Sequence, residues 1–341
     1  MGGEKALVAL SGGVDSSVAA LLLRDAGYEV EGITMQVFPG KDAQIGEAAA
    51  VAADLGIVHH VIHLEEDFER AVLERFHDEY LRGHTPNPCV TCNRFIKFGR
   101  LREEAARRGA RLFATGHYAR LVTKEGTSRL AKGVDAAKDQ SYFLALLERS
   151  QLQEVAFPLG KLTKEEVRHL ARKRGLPAAS HPESQDICFI GAEGYAAFLE
   201  SRWPMDGRDG EICHVNGQVL GRHSGSHRFT VGQRRGLGIA WPEPLYVVGL
   251  RGNQVLVGER QYLAVSRITV EDTVWHVPAP EGPFTCLCRI RYRHREARAV
   301  VAPLGEGRVE VLFDEPQYGV APGQAAVFYQ DDWVLGGGWI V

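Results

Sequence analysis

A glycine turn between an apolar run and a helical pattern is the feature that most restricts how this chain can fold. Residues 6–10 are apolar, residues 11–17 read SGGVDSS, and a run rich in Ala and Leu follows. A strand, a tight turn and a helix N-terminus in this order present backbone N–H groups to an anion, and glycine lets the anion approach the main chain. The pattern G-x-x-x-x-G-K-[ST] is absent, so the turn differs from the common P-loop. The sequence predicts a phosphate site here, the alternative being a β–α turn without a ligand.

Apolar runs that alternate with helical patterns predict an α/β fold for the first part of the chain. The expected strands are residues 6–10, 30–35, 58–64 and 111–114, and the expected helices are residues 16–26, 45–55, 67–81, 96–108 and 164–175. This alternation is typical of a doubly wound parallel sheet, in which ligands bind at the carboxyl ends of the strands. Beyond residue 203 short β runs with Gly, Pro and Asn-Gly turns predominate. We therefore predict an α/β domain over residues 1–200, a small central β-rich domain over 201–266 and a C-terminal β-barrel over 267–341.

The bulk composition is that of a soluble globular protein of two or three domains. The chain has 341 residues, 45% of them hydrophobic and 24% charged, and no apolar stretch is long enough to span a bilayer. Six cysteines are too few for a disulfide framework at this length. These features predict a cytoplasmic protein with reduced thiols and no membrane partner.

Positive charge is concentrated in one part of the chain although the net charge is −3. Residues 201–300 contain fourteen arginines, no lysine and nine acidic residues. Between residues 289 and 295 an arginine occupies every second position, so a strand here would place the arginines on one face. Arginine forks beside Tyr292 and His294 suit an RNA backbone. An ordinary solvated strand face is the alternative.

Two segments carry cysteines in settings that favour chemistry. Residues 85–98 read TPNPCVTCNRFIKF, which predicts a rigid loop entering a helix, with Arg94 and Lys97 stabilising a thiolate. Residues 184–190 (SQDICFI) carry a second candidate, Cys188. Zinc binding or a redox dithiol at residues 89–92 is an open alternative, as is an inert buried Cys188. Cys286 and Cys288 alternate along a probable strand and are expected in the core.

These segments together support a family assignment. The glycine turn resembles the signature of the PP-loop ATP pyrophosphatases, of the adenine nucleotide α-hydrolase-like fold. The whole set resembles the tRNA-specific 2-thiouridylase family over nearly the full length. The matching segments are residues 11–17, 87–98, 115–118 (TGHY), 138–144 (KDQSYFL), 184–190, 229–238 (FTVGQRRGLG) and 322–328 (PGQAAVF).

The resemblance implies roles for individual residues. Cys92 would be the nucleophile, and Cys188 would carry a persulfide and form an alternate disulfide with Cys92. The implied ATP contacts are Ala9, Leu10, Ser11, Gly12, Gly13, Val14, Asp15, Ser16, Met35 and Gly116. The implied target-base positions are Asn87, Pro88 and Cys89. The implied tRNA contacts are His117, Lys138, Asp139, Gln140, Arg291, Tyr292 and Gln324.

The resemblance also implies the reaction, an ATP-dependent 2-thiolation of the wobble uridine of tRNA. ATP would adenylate O2 of uridine, and sulfur from a cysteine persulfide would replace that oxygen. Mg²⁺ would enter with ATP, with Asp15 as the protein group that could help hold it. A cysteine desulfurase or sulfur carrier would donate the sulfur. Cys89 stands where some members have an aspartate. The alternatives are a PP-loop enzyme of the amidotransferase or lysidine-synthetase type and an inactive RNA-binding relative.

Overall fold

A computed structural model describes residues 3–38, 40, 42–124, 127–180 and 187–341 of the chain. The strands are β1 Lys5–Ala9, β2 Glu29–Gln36, β3 His59–His63, β4 Leu112–Ala114, β5 Ala119–Lys124, β6 Thr127–Lys132, β7 Val155–Ala156, β8 Gly210–His214, β9 Val219–His223, β10 Tyr246–Arg251, β11 Gln254–Gly258, β12 Ala264–Trp275, β13 Phe284–Arg289, β14 Ala297–Gly305, β15 Arg308–Tyr318, β16 Ala325–Gln330 and β17 Trp333–Ile340. The α-helices are α1 Val14–Asp25, α2 Asp42–Leu55, α3 Glu65–Phe68, α4 Glu74–Leu81, α5 Pro88–Cys92, α6 Arg102–Arg107, α7 Ser141–Leu144, α8 Lys164–Lys173 and α9 Gly194–Arg202. Two π-helical segments, Glu69–Leu73 and Asn93–Leu101, join α3 to α4 and α5 to α6. Short 3₁₀ turns are Arg149–Leu152, Pro177–Ser180, Ser226–Arg228 and Arg260–Leu263.

The first sheet is parallel, as the alternating pattern predicts. Its order is β3-β2-β1-β4-β7, and each neighbouring pair is parallel. The strand order reverses beside β1, because β2 and β3 lie on one side of it and β4 on the other. Such a switch point leaves a crevice at the carboxyl ends of the two central strands. β1 is buried on both faces of the sheet, because Leu7 belongs to one hydrophobic cluster and its neighbours Ala6 and Val8 belong to another.

The helix that carries the first two cysteines begins earlier than the sequence predicts. We expected a loop up to residue 95, but α5 starts at Pro88 and continues without a break through α6. The Asn87 side chain accepts a hydrogen bond from Val90 N at 3.3 Å and caps the helix. Proline at the first helical position has the required φ and loses no hydrogen bond there. Asparagine and proline together therefore begin a helix at a place where we predicted a rigid loop.

Two further β units follow. The central sheet has the order β10-β11-β8-β9 and a small core that includes Ile212 and Val255. In the C-terminal unit the six strands β12, β15, β14, β13, β16 and β17 follow one another, and the pairing of β12 with β17 closes them into a barrel. The predicted C-terminal β-barrel is therefore confirmed. Cys286 and Cys288 are both buried in the barrel core, as expected.

A hairpin from the first part of the chain joins the barrel. Strands β5 and β6 pair with each other, and β6 continues the barrel sheet through the pair Ala131 and Trp333. We did not expect this hairpin from the sequence. Its edge pairing depends on a strand about two hundred residues away, which a local pattern does not reveal.

The arginine-rich segment is not the strand that we predicted. β13 ends at Arg289, and residues 290–294 form bends and a turn closed by a hydrogen bond from His294 N to Arg291 O. Ile290 is buried in the barrel core, which pulls the chain inward directly after the strand. Arg291, Arg293 and Arg295 are exposed, whereas Arg289 points inward to Asp139. The arginines are therefore presented by a turn and not by one face of a strand.

Candidate active site at the sheet switch point

The glycine turn lies at the carboxyl end of β1 and leads directly into α1. Gly12 has a φ of +78°, and a Cβ there would lie 2.5 Å from Glu47 Cβ, so α2 leaves no room for a side chain. Gly13 is the N-cap of α1, and its carbonyl accepts hydrogen bonds from the hydroxyls of Ser16 at 3.0 Å and Ser17 at 2.9 Å. These two hydrogen bonds stabilise the turn. Backbone N–H groups of the first helical turn are oriented towards the crevice, an arrangement suited to a phosphate.

The structure brings the implied nucleotide residues to one edge of the sheet. Gly116 follows β4, the strand across the switch point, and a Cβ there would lie 2.8 Å from Asp15 C and 2.9 Å from Ser16 N. Met35 lies near the carboxyl end of β2, on the other side of β1. Residues 9–16, Met35 and Gly116 therefore surround one crevice, although they come from three strands.

Asp15 is held by two residues that the sequence analysis did not identify. Lys164 Nζ lies 2.7 Å from Asp15 Oδ1 and 2.8 Å from Oδ2, and the Tyr118 hydroxyl donates to Oδ1 at 2.7 Å. Among the residues that the structure describes, no cluster of three or more His, Cys, Asp or Glu side chains could hold a metal ion. Both oxygens of Asp15 accept hydrogen bonds in this structure, and a contribution of Asp15 to holding Mg²⁺ stays a prediction.

Cys89 and Cys92 lie one turn apart on α5 and share one face of the helix. Cys92 is buried, and burial raises the pKa of its thiol to about 12. Burial also raises the pKa of Cys89 to about 11. In each case Lys97 lowers the pKa, but less than burial raises it. Our expectation of a stabilised thiolate is therefore wrong for this state of the protein.

Arg94, the second cation that we expected to stabilise a thiolate, is occupied elsewhere. Its guanidinium lies 2.7 Å from Asp272 Oδ2 and 3.4 Å from Glu148 Oε1. The salt bridge to Asp272 connects the cysteine helix to β12 of the barrel. Arg94 thus serves as a link between domains.

Cys188 is exposed in a turn, but the next residue, Phe189, is buried. The Phe189 ring contacts Phe38, Phe68, Phe76 and Phe198, with ring centroids 5.0–6.1 Å apart. The negative charge of a Cys188 thiolate raises the pKa of both Cys89 and Cys92, so Cys188 lies near enough to interact electrostatically with both thiols. Residues 184–186 of the predicted segment lie outside the described residues. The fold thus brings Cys188 to the pair on α5 from nearly a hundred residues further along the chain.

His117 connects the cysteine helix to the nucleotide crevice. Its ring packs against Phe98 of the cysteine helix at 5.8 Å, and Gly116 beside it touches α1. The hydroxyl of Thr115 lies 2.7 Å from His117 Nδ1. Burial and the charge of Lys97 lower the pKa of His117 well below its usual value. A neutral imidazole therefore separates the two halves of the site, and the charge of Lys97 lowers the pKa of His117 and of the two cysteines.

The residues with implied tRNA contacts form two groups. Asp139 is buried and accepts hydrogen bonds from Gly133 N and Ser141 N at 3.0 Å, with Arg289 Nη1 at 3.3 Å. Residues 138–140 thus lie beside Arg289 and Tyr292 of the barrel. Arg291 is exposed, His117 is buried, and Lys138, Gln140, Tyr292 and Gln324 are half-buried. Gln140 and Gln324 both form hydrogen bonds within the protein.

Three of the residues that complete the site had only weak signals in the sequence. Tyr118 ends the TGHY segment, and Lys164 follows Thr163, which forms a capping box with Glu166 at the start of α8. The capping box identifies a helix start but not the contact with Asp15. Tyr142 lies within the KDQSYFL segment, and its partners become visible only in the fold.

Comparison with known proteins places these features in a defined class. Residues 4–192 match the tRNA methyl transferase HUP domain, residues 196–259 the tRNA methyl transferase PRC-barrel domain, and residues 265–340 the aminomethyltransferase β-barrel domain. The protein is thus a nucleotide-binding α/β protein with two appended β domains.

Curated relatives specify the family within that class. The chain is 55% identical over 343 residues to the tRNA-specific 2-thiouridylase MnmA of Syntrophotalea carbinolica, covering 98% of this chain and 97% of that protein. It is 51% identical to the protein of the same name from Trichlorobacter lovleyi, over 97% and 96% of the two chains, and 49% identical to that from Pelobacter propionicus, over 98% and 96%. The chain belongs to the tRNA-specific 2-thiouridylase family. Within the described part of the chain, no helix combines the length and the apolar composition needed to cross a membrane.

Proposed function

We propose that this protein uses ATP to activate O2 of a tRNA uridine and then replaces that oxygen with sulfur. The observation that carries the proposal is that the anion-binding turn and the cysteines belong to one site. The anion-binding turn and the cysteine group lie on either side of the Gly116–His117 segment. An adenylating crevice beside a group of thiols is what sulfur transfer to an activated carbon requires.

In the first step O2 of the uridine attacks the α-phosphorus of ATP, and the bond to the β-phosphate oxygen breaks. Pyrophosphate leaves, and O2 carries AMP, a good leaving group. The N–H groups at the start of α1 are placed to stabilise charge on the pyrophosphate. Lys164 neutralises Asp15, so this carboxylate does not repel the phosphates. Any Mg²⁺ would arrive with the nucleotide, and no step relies on a metal held by the protein.

In the second step the outer sulfur of a Cys188 persulfide reaches C2 and AMP departs. In one route this sulfur attacks C2 and AMP departs, after which Cys92 attacks Cys188 Sγ, breaks the S–S bond and frees the 2-thiouridine. In the other route Cys92 attacks Cys188 Sγ first and breaks the S–S bond, and the released sulfide then attacks C2 and displaces AMP. Either route can end in a Cys92–Cys188 disulfide that an external thiol must reduce. The exposed position of Cys188 suits loading by a sulfur-donor protein, and the buried position of Cys92 suits a reaction inside the closed site.

Cys92 needs a change of surroundings before it can act as a nucleophile. Its raised pKa keeps it as a thiol at neutral pH in the protein without tRNA. Lys97 is the cation that lowers this pKa, and a closer approach of Lys97 would favour the thiolate. We infer that tRNA binding at Asn87, Pro88 and Cys89 rearranges this group. Some relatives have an aspartate at the position of Cys89. Because the pKa of Cys89 is raised to about 11, its thiol stays protonated at neutral pH in this state and cannot accept a proton in place of that carboxylate.

The domain descriptions and the names of the relatives differ in the group transferred. The descriptions refer to methyl and aminomethyl transfer, whereas the relatives are named 2-thiouridylases. The approach of Cys188 to the Cys89–Cys92 pair favours sulfur transfer, because methyl transfer has no use for a persulfide.

Two cysteine variants test the proposal. Cys92→Ala and Cys188→Ala should each abolish 2-thiouridine in tRNA, measured by mass spectrometry of nucleosides after incubation with ATP and a persulfide donor. Cys213→Ala, a buried cysteine of the central domain, is the matched control and should keep full activity. Normal thiolation by the Cys92 or Cys188 variant would rule out the role of that residue.

Pyrophosphate release separates the alternatives. Cys188→Ala should still release pyrophosphate in the presence of tRNA, because adenylation precedes sulfur transfer. An amide-forming relative would remain fully active in both cysteine variants. A binding module without catalysis would release no pyrophosphate that depends on tRNA.

A further inference from the structure

The C-terminal barrel holds the segment that leads into the cysteine helix. Thr85 N donates to Pro322 O at 2.8 Å, and Gln324 Nε2 donates to Thr85 O at 2.8 Å and to Pro86 O at 3.4 Å. The turn before β16 is therefore hydrogen-bonded along the two residues that precede Asn87. These bonds connect parts of the chain about 240 residues apart.

The contact is as close as a backbone permits. Gly323 has a φ of +87°, and a Cβ there would lie 3.2 Å from Glu79 Oε2, His84 Cβ and Thr85 C. A side chain here would require neighbouring atoms to shift by a few tenths of an ångström, and the positive φ would strain the backbone. The glycine thus allows the hydrogen bonds of its neighbour Gln324.

A second link runs through a buried tyrosine. The Tyr142 hydroxyl donates to Ala325 O in β16 at 2.9 Å. Burial raises the pKa of Tyr142, and the nearby Asn87 side chain lowers it, but by less. Asn87 in turn caps α5. Tyr142 thus lies between β16 and the residue that caps the cysteine helix.

One face of α5 is incompletely packed. A cavity of about 210 Å³ lies beside the helix face formed by Pro88 and Thr91, and Arg75 and Trp339 line its other side. A helix with a void on one face has freedom to shift unless directed bonds hold it. The hydrogen bonds from the barrel supply that restraint.

We propose that Gln324 is a positioning residue, which sets the orientation of Cys89 and Cys92 by holding the carbonyls of Thr85 and Pro86. The effect of Gln324 on thiolation rests on the proposed function, whereas its effect on the position of the cysteine helix does not. The restraint itself exists without tRNA and couples the barrel, where Arg291 and Tyr292 lie, to the cysteine helix. A residue that served only as a tRNA contact would have no effect on the thiols in the protein alone.

The test compares Gln324→Glu with Gln317→Glu. Both substitutions add one negative charge to the barrel and remove an amide donor, but Gln317 donates only to Glu315 O within its own strand. The rate of alkylation of Cys89 and Cys92 by iodoacetamide is measured by mass spectrometry without tRNA. We expect Gln324→Glu to change this rate about threefold or more, because release of the helix alters thiol access. Gln317→Glu should match the unaltered protein.

Kinetics provide the second readout. Gln324→Glu should lower kcat for 2-thiouridine about tenfold through misplacement of the thiols, and change KM for tRNA less than about twofold. Unchanged alkylation, or a loss confined to KM, would overturn the proposal. If Gln324→Glu does not fold, Gln324→Ala is judged by the same two measurements. Alkylation requires no turnover, so a protein that makes no 2-thiouridine still tests the positioning role.

Discussion

Among single residues, Asp15 is evident from the sequence, but the groups that neutralise and orient its carboxylate come from distant parts of the chain. The SGGVDSS turn predicts a carboxylate beside bound phosphates, but not the ammonium that neutralises it. Lys164 lies 149 residues further along the chain. Its identity could not be inferred, because a lysine at a helix start is ordinarily exposed.

Removal of that lysine should weaken nucleotide binding. Lys164→Met leaves the Asp15 carboxylate with only the Tyr118 hydroxyl, and we expect about tenfold weaker binding of an α,β-methylene analogue of ATP, because an uncompensated charge then faces the phosphates. Titration calorimetry without tRNA measures the effect. Lys161→Met, at an exposed lysine in the turn before α8, is the control. Equal affinities in the two variants would show that the Asp15–Lys164 pair does not act on the nucleotide.

At the level of elements, the site depends on close approach between β4 and α1 across the switch point. The sequence predicts both elements, since their apolar periodicity and glycine turn are local signals. It predicts the start of the cysteine helix less well, because the two prolines indicate a loop whereas Asn87 caps a helix there. The local pattern of residues 289–295 is also misleading. Alternating arginines suggested a strand, but burial of Ile290 ends it.

Gly116→Ala tests the contact between the two elements. The added Cβ would lie within 3 Å of backbone atoms of Asp15 and Ser16, which cannot move without displacing α1. We expect a loss of about 1–3 kcal/mol in the free energy of unfolding, together with weaker nucleotide binding. Gly249→Ala in β10, where a Cβ meets nothing within 4 Å, should change neither quantity. Chemical denaturation measures stability, and an unaltered midpoint for Gly116→Ala would contradict the packing described.

For the whole molecule, the barrel is joined to the α/β domain by buried polar groups, and these make stability depend on pH. His276 follows β12, and its Nε2 lies 2.9 Å from Leu147 O of the first domain. Burial lowers the pKa of His276 from 6.5 to about 4. Because the folded pKa lies below the unfolded value, the unfolded chain takes up the proton first as pH falls. The stabilising contribution is therefore complete above about pH 6.5 and is lost as pH falls towards about 4.

The expected loss at His276 is about 2 kcal/mol of unfolding free energy between about pH 7.5 and pH 5. His276→Gln, which does not titrate, should lose correspondingly less over this range. His63→Gln removes an exposed histidine and should behave as the unaltered protein does. Denaturant titrations at the two pH values provide the comparison. An equal loss in all three proteins would assign the acid sensitivity to other groups.

The sequence by itself determined the local elements and the residue types of the site. The glycine turn, the C-terminal barrel, the candidate cysteines and the family could all be inferred, because each depends on short-range patterning or on a motif. Only the tertiary structure decided how those residues behave. Burial raises the pKa of Cys92, whereas its neighbours in the sequence suggested a lower one. Lys164 forms a salt bridge with Asp15, and Gln324 forms a hydrogen bond with the segment before α5. Burial and hydrogen bonding depend on which distant segments share a volume, and composition and periodicity do not encode that information locally.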